Sequence, residues 1–157
     1  MVKGRHIIIL ASAIFCLSGC AGTRLSKSEK IGRVITTARS YLGTPYRMGG
    51  MSKKGIDCSG LLYMSFKSAG ITLPREAKYQ SKTGKRVELD EIKPGDMVFF
   101  SSKKGKRKIT HAGLVTDRHG NKSIKFIHSS TSHGVVEANL LDDYYQSIFI
   151  RARRPRY

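Results

Sequence analysis

Three side chains in this sequence could act together as a nucleophile and its proton carriers: Cys58, His111 and His128. A thiol attacks a carbonyl as its thiolate, so it needs a base to take the proton and often a third group to orient that base. Cys58 heads the stretch GIDCSGLLYMSFKSAG, in which Cys58, Leu61, Leu62, Ser65, Phe66 and Ala69 recur at helical spacing. Asp57 reads as the N-cap and Gly70 as the stop. The sulfur then lies in the first helical turn, where unpaired N–H groups and the macrodipole favour negative charge. The expectation is a thiol acidified by its position. An inert core cysteine would occupy the same helical face, so the surroundings must separate the two readings.

The histidines are brought together by a hairpin. HAGLVT (111–116) and KFIHSS (125–130) read as strands around a turn over Asp117–Asn121. If the strands close about His119-Gly120, residues whose numbers sum to 239 face one another, and His111 and His128 make that sum. Directly opposed residues share a face, with Cβ atoms ~4.5–5.5 Å apart. A slip of one residue would put the two rings on opposite faces. His119 at the turn and His133 in a later loop are expected to be exposed bystanders.

Other elements must position this set. Ile31, Val34, Ile35, Ala38, Tyr41 and Leu42 mark an amphipathic helix from Glu29 to near Gly43. GTPYRMGG (43–50) is a structured loop that carries Tyr46 toward the cysteine helix. Met97-Val98-Phe99-Phe100 reads as a buried strand, with further strands at Val135–Leu140 and Ser147–Ala152. Helices first and strands afterwards predict an α+β fold, N-terminal helices packed on a small antiparallel sheet. The basic loop SSKKGKRK (101–108) reads as a solvated hairpin tip.

At 157 residues the chain supports one compact domain. Its N-terminus has a positive start at Lys3 and Arg5 and an apolar run from Ile7 to Leu17, too short to span a bilayer. The sequence LSGC at 17–20 resembles a bacterial lipobox, which implies cleavage before Cys20 and lipidation of its sulfur. The expected organisation is a signal peptide over 1–19, a lipidated cysteine and tether over 20–28, and the domain over 29–157. With Cys16 removed and Cys20 lipidated, Cys58 is the remaining thiol, which leaves no disulfide framework. Of the 29 lysines and arginines, 27 stay with the cleaved chain against 11 acidic residues, a charge of +16 that predicts anionic surroundings. A basic surface with no specific partner is the plainer reading. Export and the lack of any binding pattern argue against nucleic acid.

Taken in order, GTPYRMGG, DCSG (57–60), LPR (73–75), PGDMVFF (94–100), HAG (111–113) and FIHS (126–129) resemble the NlpC/P60 cell-wall peptidases from about Ile31 to Ile150. The resemblance implies a papain-like fold with the catalytic cysteine at a helix N-terminus, and cleavage of peptidoglycan stem peptides. The bond implied is D-glutamyl–diaminopimelate or D-alanyl–diaminopimelate. It carries the catalytic roles to Cys58, His111 and His128, a substrate or oxyanion role to Tyr46, and substrate contacts to Asp57 and Ser59. No metal and no cofactor are implied. The expected protein is a monomeric thiol peptidase, lipid-anchored through Cys20 in the cell envelope. The anchor would be in the outer membrane facing the periplasm of a two-membrane cell, and otherwise in the cell membrane. Two departures stand out: a long hairpin between the histidines, and Glu76-Ala77 after LPR where many members carry Thr or Ser. Two other classes remain open, an envelope lipoprotein that binds wall polymer without cutting it and an amidase or acyltransferase on the same fold.

Overall fold

The computed structural model describes residues 24–157; the expected leader and Cys20 lie outside the described residues. Helix α1 spans Lys27–Arg39, starting two residues before the sequence reading. Ser26 and Glu29 explain the earlier start, because they form a reciprocal capping box that satisfies two otherwise orphaned backbone donors. A loop with the short strands β1 (Met51–Ser52) and β2 (Gly55–Ile56) leads into α2 (Cys58–Ser68). Then come α3 (Ala77–Gln80), β3 (Lys85–Val87), a 3-10 turn at Leu89–Glu91 and β4 (Met97–Phe100). The long hairpin strands β5 (His111–His119) and β6 (Ser123–Ser130) follow. Strand β7 (Gly134–Asn139), helix α4 (Asp143–Ile148) and strand β8 (Phe149–Arg154) complete the order.

Six strands form one antiparallel sheet in the order β3-β8-β4-β5-β6-β7. Strand β4 lies inside it, and all four of its residues are buried because both faces are covered. Met97 and Phe99 face α1 and α2 together with Ala112, Leu114 and Ile127, packing on Val34, Leu61, Leu62 and Phe66. Val98 and Phe100 face the other way with Val115, Phe126 and Ala152, under Ile92, Leu140 and Ile148. A large apolar side chain so enclosed contributes ~1.5–3 kcal/mol by burial. These two clusters therefore fix the relative position of α2 and β5.

The loop ahead of α2 is pressed onto its first turn. A Cβ on Gly60 would stand 2.4 Å from the Gly50 carbonyl oxygen and 3.1 Å from Asp57 Oδ1. DCSG therefore ends in glycine to let the loop backbone approach the helix. Helix α4 has no counterpart in the sequence reading, whose strand at Ser147–Ala152 overlaps only its last two residues. Asp142 before it, and Leu141, Tyr144, Tyr145 and Ile148 at helical spacing, were the available signal.

Candidate active site

Asp57 caps α2 and receives five donors. Its Oδ1 accepts from Gly60 N (2.6 Å), Ser59 Oγ (3.1 Å) and Arg75 Nη1 (2.9 Å). Its Oδ2 accepts from Gly49 N (2.8 Å) and Arg75 Nη2 (2.7 Å). Burial pushes this carboxyl up, but the Arg75 and Gly60 donors outweigh it and hold the group below its ordinary value. Arg75 also donates to Ser59 Oγ (2.9 Å) and to the Gly50 carbonyl (3.2 Å). Buried Gln80 donates from Nε2 to Ser59 O (2.9 Å) and Pro74 O (2.8 Å). The first turn bearing the sulfur is thus clamped from the loop, from LPR and from α3. Asp57 and Ser59, expected at the substrate, spend their polar groups on this clamp.

Cys58 is buried, and the backbone N–H of Ala112, the residue after His111, is directed at its sulfur. The thiol expected to be acidic is not. Burial pushes Cys58 up, the Asp57 charge adds to the rise, and the N–H groups of Ala112, Ser59 and Cys58 itself offset it only in part. Tyr46 forms a parallel bridge with Ile56 and lies near both Cys58 and Asp57. Burial first, and then those two charges, push its hydroxyl up, so it remains a donor.

The hairpin does not close about His119-Gly120. The pairs His119–Ser123 and Asp117–Lys125 sum to 242, and beyond Thr116 the pairs Val115–Phe126 and Leu114–Ile127 sum to 241. Thr116 is therefore an extra residue on β5, a β-bulge. Without it the even sum would continue, and His111 and His128 would point to opposite faces. With it they share a face as diagonal neighbours, not as the directly opposed pair expected. His111 Nε2 lies 2.8 Å from His128 Nδ1, with the rings nearly perpendicular.

A fourth group extends this chain. Tyr145 on α4 places its hydroxyl 3.2 Å from His128 Nε2, and its ring packs edge-on against Phe126. His128 stacks on Phe126 with centroids 5.0 Å apart. Two proton arrangements satisfy such a chain. If His128 Nε2–H donates to Tyr145, then His111 Nε2–H donates to His128 Nδ1 and His111 Nδ1 is left as a lone pair. If Tyr145 donates instead, every proton reverses and His111 Nδ1 carries hydrogen. Only the first makes His111 a base. Sequence reading missed Tyr145 because residues 143–146 were assigned to no element and the strand reading began only at Ser147.

Both imidazoles are held neutral. Burial lowers His111 to about 4, and burial plus repulsion from His111 lowers His128 to about 3. At rest the thiol and both imidazoles are neutral, with no preformed ion pair. His119 pairs with Asp117 at 3.1 Å on the surface, and His133 is exposed in a turn beside Ser132. Among the described residues no group of three or more His, Cys, Asp and Glu could hold a metal ion.

The sequence profile of the NlpC/P60 family matches residues 43–154. The chain is 37% identical to the probable endopeptidase NlpC of Escherichia coli, over 96% of this chain and 99% of that one. It is 35% identical to the murein DD-endopeptidase MepS/murein LD-carboxypeptidase of the same organism, over 78% of this chain and 61% of the relative. The crystal structure of an NlpC/P60 family protein from Bacillus cereus superposes with a TM-score of 0.71 at 32% identity, over 79% of this chain and 39% of that chain. The match thus covers nearly all of the first relative and about three-fifths of the second.

The buried histidines tie stability to pH. An unfolded imidazole titrates near ~6.5, whereas the folded ones titrate at about 4 and about 3. Between those values the unfolded chain binds protons that the folded chain refuses, so this stabilisation is whole above the unfolded value and drains as pH falls toward the folded ones. Urea unfolding at pH 7, 6 and 5, above the range where carboxylates protonate, should show stability falling by roughly 1–3 kcal/mol per pH unit in the lower half. A flat profile would contradict buried neutral rings.

Proposed function

We propose, starting from the fact that the chain belongs to the NlpC/P60 family, that it is a cysteine peptidase hydrolysing the stem peptides of bacterial peptidoglycan. The observation that carries this is one sulfur at the head of α2, turned to the backbone of the strand whose first residue is a histidine held by a second. His111 Nδ1 takes the thiol proton as Cys58 attacks, since neither group is ionised beforehand. The required approach of ring to sulfur tightens with substrate bound, as catalytic hydrogen bonds commonly do. Sulfur bonds to the scissile carbonyl carbon, and the oxyanion meets first-turn N–H groups and the Tyr46 hydroxyl. The C–N bond breaks and His111 returns its proton to the leaving amine. Water, deprotonated by His111, then adds to the thioester, and the C–S bond breaks to release the acid and restore the thiol. His128 steadies the imidazolium, and Tyr145 is a positioning residue that keeps the His128 proton on Nε2.

The relatives named endopeptidase and murein DD-endopeptidase support this substrate class. An excess of positive charge suits a carboxylate-bearing polymer. A lipoprotein that only binds the polymer would have no use for the proton chain running from His111 to Tyr145. We also read the first 19 residues as a leader and Cys20 as the lipid attachment point. On that reading the capped start of α1 at Ser26 leaves a short tether between Cys20 and the domain, which supports a position close to the envelope membrane. No helix among the described residues is long and apolar enough to cross a membrane.

Cys58→Ala should lower stem-peptide hydrolysis by at least about a thousandfold. The masses of the wild-type products identify the bond cut, and unchanged turnover in Cys58→Ala would end the thiol mechanism. Tyr145→Phe should lower kcat by about tenfold or more with KM unchanged, on the scale of an outer hydrogen-bond partner. In the same variant the 15N shifts of His128 should move toward a mixture of tautomers; an unaltered tautomer would remove Tyr145 from the mechanism. Labelled palmitate should enter the wild-type protein in cells and not Cys20→Ala, and equal labelling of both would refute the anchor.

A further inference from the structure

Two adjoining hollows run from the histidines toward the loop between β4 and β5, and Cys58 lines neither of them. One, of about 540 Å³, is walled by His111, His128 and Tyr145 and by hydroxyls of Ser101, Thr110 and Ser132. The other, of about 360 Å³, shares Ser101 and Ile148 with the first and ends at Lys106 and Arg107. These two cations belong to the basic loop between β4 and β5, where Lys103, Lys104, Lys106, Arg107 and Lys108 are all exposed. Among the described residues none of the five forms an ion pair.

Resting on the peptidase reading, we propose that this trough seats the leaving half of the substrate and that Lys106 and Arg107 hold its carboxylate. The direction follows from the chemistry. The acyl half stays on Cys58 while the amine half takes its proton from His111, so the amine half departs on the histidine side. Hydroxyls along the trough suit peptide N–H and C=O groups, and its far end is cationic. Arg107 is four residues from His111, so the chain cannot separate them by more than ~14 Å. An extended peptide covers that span in about four residues, which sets the carboxylate within that distance of the cut. The positive loop is then part of the substrate groove and not merely a solvated hairpin tip.

Binding of diaminopimelyl-D-alanine to the full chain, compared with the same dipeptide with both carboxyls amidated, tests this without turnover. The free acid should bind about tenfold more tightly, the scale of a charge-assisted hydrogen bond. Lys106→Gln/Arg107→Gln should abolish that preference, whereas Lys103→Gln/Lys104→Gln, removing the same charge outside the trough, should preserve it. No preference in the wild type, or an equal loss in both double variants, overturns the site; the latter would show a diffuse field. Because binding is read directly, it is independent of hydrolysis. Failure of Cys58→Ala to abolish cleavage would overturn the peptidase reading and leave the subsite result standing.

Discussion

The contact between His111 and His128 exists because β5 holds one residue more than its partner strand. Successive side chains along a strand point to opposite faces, so the pairing sum decides which residues can meet. The turn end of the hairpin runs at 242 and would separate the two rings, and the extra residue at Thr116 changes the sum to 241 and unites them. The regular pairing of β4 with β5 sets His111 opposite Phe100, and the inserted residue brings His128 onto that same face of the aromatic cluster. The polar chain from His111 to Tyr145 thus depends on a local irregularity in an otherwise regular sheet.

Burial then sets the electrostatics. A helix N-terminus favours a thiolate, yet its contribution is limited to a partial charge at the first turn. Removing the sulfur and both rings from water penalises every charged form, and that penalty prevails. The positional charge that does survive is on Asp57, because five donors surround it. The protein therefore keeps the Cys58 thiol and the His111 ring neutral at rest and spends the Asp57–Arg75 charges on holding the first turn of α2 in place.

The division of labour follows the two faces of the sheet. Helix α2 rests on one face and brings the sulfur to the start of β5, while His111, His128 and Tyr145 are anchored in the aromatic cluster of the other. In the proposed mechanism proton transfer occurs around the strand end, where the two layers meet. The hydroxyl-lined hollow opens at that same end, with the basic loop joining β4 to β5 as its rim.

The amino-acid order by itself determined the α+β class, the helix headed by Cys58, the strands carrying His111 and His128, and the exposed positions of His119 and His133. Apolar period, cap residues and turn residues are local, so they can be read without coordinates. The pairing register was not legible, because nothing in HAGLVTDRHG shows that Thr116 is bulged; that depends on how β4 and β6 pack on either side. Nor were Tyr145 and the clamp of Arg75 on Asp57, which join segments 17 and 18 residues apart in the chain. The sign of the Cys58 shift was misread for a related reason: a dipole is visible in a helix, whereas desolvation is a property of everything folded around it.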